Sequence, residues 1–195
     1  GHAKQPYRKD QSYLLFLKKR AEGFEALQLT QGIAPINGTT VKLYFGTADR
    51  PLIERYLELR VTSTTTTTQW DKFGGELVAQ ADLNDGERTR ATFQMLFSLP
   101  DRNQYEPIFI KGLDSPNSDV VYISMGCLAA IGSESGIKAI IDLYFRIKKI
   151  DGWKKYTPQY VLPYRINSIL RESKSRETIL RIKKLYPDEP ELFNF

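Results

Sequence analysis

A mainly helical α+β fold is predicted, with a short N-terminal antiparallel β segment followed by an α-solenoid of about three helix pairs. Three observations predict it. Leu113 to Ile150 reads as two apolar helices separated by Ile131-Gly132-Ser133, a unit too thin to bury its own apolar faces without a neighbour on each side. A looser copy lies upstream: Arg90, Ala91, Met95, Leu96, Leu99 and Pro100 can be laid on Tyr122, Ile123, Cys127, Leu128, Ile131 and Gly132, an offset of about 32 residues. Four short alternating segments lie within Ser12 to Phe45, with Asn37-Gly38 as a hairpin signal because both residues tolerate φ > 0. The organisation that follows is a β segment over 1–46, a helix and Thr-rich linker over 47–69, and a helical repeat domain over 70–195. A plain helical bundle offers the same buried stripes and is the competing architecture.

In chain order, Gly1 to Gln11 is polar and reads as loosely held. Ser12 to Lys19 carries Tyr13, Phe16 and three leucines and reads as one buried strand. Lys18 to Gly23 is turn-like, and Phe24 to Thr30 places Leu27 and Leu29 on one face, which predicts a hairpin. Gly32 to Ile36 is extended, and Val41, Leu43 and Phe45 alternate after the Asn37-Gly38 turn. A helix is predicted to start within Thr47 to Asp49, with Pro51 in its first turn, where a missing N–H costs nothing. Leu52, Ile53, Tyr56, Leu57 and Leu59 form its apolar face.

Thr62 to Thr68 holds six threonines and one serine and reads as a loop or linker, with a polar edge strand as the alternative. Trp70, Phe73, Leu77, Val78 and Ala81 restore helical spacing in spite of Gly74-Gly75. Asp82 to Gly86 is a loop, Glu87 to Leu99 a helix ended by Pro100, and Gln104 to Gly112 a helix capped by Asn103.

In the central pair, Ser118 or Asp119 is the expected N-cap, because a short side-chain oxygen there accepts from an orphan N–H. Val120, Ile123, Cys127, Leu128 and Ile131 share a stripe, and Gly132 suits the left-handed C′ position. Ile137, Ile140, Ile141, Tyr144 and Ile147 mark the second helix, with Lys148 and Lys149 favouring its dipole. Helices are further expected over Tyr160 to Glu172 and Thr178 to Leu185. The tail, Asp188 to Phe195, is expected to fold back as a terminal cover.

Leu113-Asp114-Ser115 before the first helix, the small-residue run Gly126 to Ala130, and Ile131-Gly132 before the second make this unit resemble a HEAT-like repeat. The resemblance covers about 83–150, extending toward 186, and implies a scaffold that binds other proteins. A second likeness is carried by Tyr13-Leu14-Leu15-Phe16-Leu17-Lys18-Lys19, Gly23-Phe24 and Gln31-Gly32-Ile33-Ala34-Pro35-Ile36. These residues, within 12–36, resemble the end of a small β-barrel module of exported bacterial proteins. That likeness implies an extracytoplasmic protein, periplasmic or secreted, rather than a cytoplasmic one. Gly1-His2 reads as a cloning remnant, so natural residues, including the missing barrel strands, are expected to precede it. The chain would then be part of a larger exported hydrolase or envelope protein.

Composition narrows the chemistry. No run approaches the roughly 20 apolar residues that span a bilayer. Cys127 is the one cysteine, so no intramolecular disulfide forms, and its place in an apolar stripe makes it a small hydrophobe. His2 is the one histidine, which leaves no base for a Cys–His or Ser–His pair and excludes the usual zinc sets. Asp82, Asn84 and Asp85 lack the length and terminal Glu of a calcium loop and read as an Asx turn. Glu54 and Glu58, at i and i+4, read as solvated carboxylates rather than an acid–base pair. The glycines match neither phosphate-loop nor dinucleotide fingerprint. The expectation is a non-enzyme with no cofactor, no metal and no small-molecule substrate.

The net charge of +5 is uneven. Between Arg146 and Lys184, twelve basic residues face only Asp151, Glu172 and Glu177, which gives +9 there and −4 elsewhere. The most distinctive constellation is Trp153, Lys154, Lys155, Tyr156, Tyr160, Tyr164 and Arg165. Aromatics interleaved with cations suit a protein-binding hot spot or base stacking. They equally suit an aromatic plug between helices with the lysines in solvent. Another protein is the expected partner, and nucleic acid, met through the basic C-terminal helices, is the alternative.

Overall fold

The computed structural model describes residues 12–15, 17–20, 23–26, 33–37, 40–43, 46–62, 64–149 and 176–188. The described chain is mainly helical. Among the described residues six short strands come first: β1 (Ser12–Leu15), β2 (Leu17–Arg20), β3 (Gly23–Ala26), β4 (Ile33–Asn37), β5 (Thr40–Leu43) and β6 (Gly46–Asp49). Seven helices follow among the described residues: α1 (Arg50–Val61), α2 (Thr67–Gln80), α3 (Gly86–Phe97), α4 (Glu106–Gly112), α5 (Ser118–Ile131), α6 (Glu134–Lys148) and α7 (Arg176–Lys183).

The strands form an antiparallel sheet in the order β1-β4-β5-β6, beside a separate β2-β3 hairpin. The expected single strand over Ser12 to Lys19 is therefore two, because β1 pairs with β4 while β2 pairs with β3. Asn37 pairs with Thr40 and closes β4, while Gly38 and Thr39 lie outside the described residues. Thr47 to Asp49 does not begin a helix. These residues continue as β6 along β5, and the helix starts at Arg50 with Pro51 in its first turn.

β6 lies against the start of α3. Gly46 has φ 155°, and a Cβ there would fall 2.2 Å from the Glu87 carbonyl oxygen. On either side, Thr47 Oγ1 donates to Glu87 Oε2 at 2.6 Å and Arg88 pairs with Asp49 at 3.2 Å. Ala48 is buried between them in sequence. The sheet is thus joined to the helices by backbone contact and by two polar links.

Helix ends are set by local chemistry. The Thr-rich run is half linker and half helix start: Thr66 makes a reciprocal capping box with Gln69, so Thr67 and Thr68 belong to α2. Asp85 caps α3 by accepting from Arg88 N at 3.1 Å. Asn103 does not cap the next helix; Arg102–Tyr105 forms a 3₁₀ turn, and α4 begins at Glu106 with Pro107 in its first turn. α5 is capped by Asn117, which accepts from Asp119 N at 2.9 Å, rather than by Ser118 or Asp119. Asn117 prevails because Ser115 Oγ accepts from its N–H at 2.9 Å and itself donates to the Leu83 carbonyl, fixing the turn one residue earlier. Gly132 adopts φ 73°, and Ser133 caps α6 through Gly136 N at 2.9 Å. The last helix begins at Arg176 rather than Thr178.

The core runs through α1 to α7. On α6 the expected stripe of Ile137, Ile140, Ile141, Tyr144 and Ile147 is buried throughout. On α5 burial is wider than one stripe and takes in Val121, Ser124, Met125 and Ala129, because α3, α4 and α6 all pack on this helix. Gly112 brings α4 close to α5: a Cβ on it would lie 2.1 Å from Ser124 Oγ.

Gly126 differs. It sits exposed in the middle of α5, and a Cβ added there meets nothing within 4 Å. Gly126→Ala is expected to stabilise the fold by about 1 kcal/mol, since only the conformational cost of glycine is removed. Urea denaturation would show a higher midpoint at unchanged slope; a lower midpoint would mean that the α5 surface is occupied.

Candidate interaction surface

Two seams of polar contacts join elements that are distant in sequence. On the first, Asp71 of α2 accepts from Gln104 Nε2 at 2.9 Å, Glu106 of α4 accepts from Ser135 Oγ of α6, and Asp114 pairs with Arg146 of α6. Glu134 of α6 pairs with Arg181 of α7 at 2.6 Å. On the second seam Ser115 Oγ donates to the Leu83 carbonyl, and Asn117 Nδ2 donates to the Asn84 carbonyl at 3.3 Å. Apart from the link to α7, each of these contacts spans 29 to 33 residues. The ionic members are exposed, so each contributes little to stability alone.

The first seam draws on residues in or next to α2, α4, α6 and α7. Lys138 and Asp142 on α6 and Lys111 on α4 are exposed on these helices, with charges of both signs interspersed. Arg146 and Arg181, two of the basic residues that make the C-terminal part positive, are held in ion pairs with Asp114 and Glu134. Lys149 and Lys184 are exposed. Trp153, Lys154, Lys155, Tyr156, Tyr160, Tyr164 and Arg165 lie outside the described residues, as do the expected helix over Tyr160 to Glu172 and the tail from 189 onward. The seams were missed in the sequence. An acid and an arginine 32 positions apart, Asp114 and Arg146, are one such pair, and the sequence holds no local signal that would join them.

Most of the other expected groups have structural partners. Asp82 Oδ1 accepts from Asn84 N at 3.0 Å, closing an Asx turn, and Asp85 is the α3 cap. Glu54 pairs with Arg50 at 2.7 Å, and Glu58 is exposed. Among the described residues no group of three or more His, Cys, Asp and Glu side chains is placed to hold a metal ion. No described helix is long and apolar enough to cross a membrane.

Two buried groups are perturbed. The Tyr105 hydroxyl is buried without a hydrogen-bond partner among the described residues, against the backbone of Gly74. Burial, and then the charges of Asp71 and Asp101, push its pKa upward. Burial pushes the Cys127 thiol up to about 12, against a smaller opposing influence from Arg102.

Cys127 is therefore protonated at neutral pH, and a thiolate reagent must wait for the fold to open. Its native labelling rate at pH 8 is expected to be at least about a thousandfold below that of the unfolded chain. Labelling at the unfolded rate would place the thiol at the surface. The sign of the linkage is also set: the folded thiol holds its proton from pH 9.0, its ordinary value, to about 12, so its contribution to stability falls as pH rises through that window.

No family model matches this sequence, and neither a curated protein nor a solved structure shows significant similarity to it.

Proposed function

We propose that the helical part is a HEAT-like α-solenoid. The chain then acts as a non-catalytic interaction or scaffold module, holding another protein against the face of α2, α4, α6 and α7. The observation that carries this reading is the recurrence of polar ties about one helix pair apart. Identical units stacked in a row repeat their contacts at the length of one unit. Packing supports it as well: α5 touches α4 and α6, its neighbours in sequence, and also α3; α6 touches α4 as well as α7. The N-caps Asp85 and Asn117 stand 32 residues apart, on the offset that relates the two helix pairs. That such repeats serve as scaffolds is analogy from the architecture.

The exposed Lys149 and Lys184 favour a second reading, contact with nucleic-acid phosphates. One experiment addresses both. A photo-crosslinking residue at Lys138, on the proposed face, is expected to capture one defined protein that the same residue at Glu58, on α1, does not. Equal labelling at both positions removes the face from consideration. Retention on heparin or single-stranded DNA, compared at about 50 and 200 mM salt, falls steeply if phosphates are contacted. No retention at the lower salt removes the second reading.

A further inference from the structure

No further inference is drawn: the strongest candidate, the surface patch of α7 and the residues just after it, where the exposed Leu180 and Leu185 lie near Arg181 and Lys184 in sequence, is an apolar patch with no partner among the described residues, and nothing in the structure shows what covers it.

Discussion

Phe93→Ala is expected to destabilise the protein by about 3–5 kcal/mol. Phe93 on α3 is fully buried, and its ring meets that of Phe109 on α4 edge to face, with centroids 5.0 Å apart. The same ring lies beside Gly112, where α4 approaches α5. Three helices therefore share the space it fills. The void left by alanine does not collapse readily, because α3 is held by both β6 and α5. For a chain of this length the loss corresponds to a fall in melting temperature of about 10 °C. Phe109→Ala should cost a similar amount, and the double variant less than the sum, since each single change already removes the ring–ring contact. Thermal or urea unfolding of the three variants tests this; strict additivity would mean that the two rings do not touch.

How far the sequence could be read follows from how local each signal is. Gly132, Ser133 and Pro51 act through their own backbone neighbours, and each holds the place its chemistry predicts. The α6 stripe is legible because that helix buries one side only. The α5 stripe is less so, because three helices surround it and burial spreads past any single face. The capping box at Thr66 and Gln69 was readable as a motif, but the threonine-rich composition around it argued for a linker. β6 was not readable. Gly46-Thr47-Ala48-Asp49 has one β-branched residue and no large apolar one; it is a strand because β5 pairs with it and α3 backs it. The polar seams depend on pairs about 30 residues apart, which no local window contains.

Gly46→Ala should be comparably damaging, for a different reason. The added methyl would sit 2.2 Å from the Glu87 carbonyl oxygen, which is backbone in the first turn of α3 and cannot swing away. The φ of 155° is also one that side chains rarely adopt. Strain and overpacking together are expected to cost about 3–5 kcal/mol. Relief requires β6 to lift from α3, which would pull Thr47 from Glu87 and Asp49 from Arg88. The injury should therefore be regional. Hydrogen exchange is expected to quicken in β5, β6 and the first turn of α3, while α5 and α6, which pack mainly on other helices, keep their protection. Gly75→Ala is the matched control, since a Cβ there meets nothing within 4 Å, and it should be neutral or stabilising. If Gly46→Ala melts with the native protein and exchanges like it, the sheet does not rest on α3, and its contacts with α1 are what hold it to the helices.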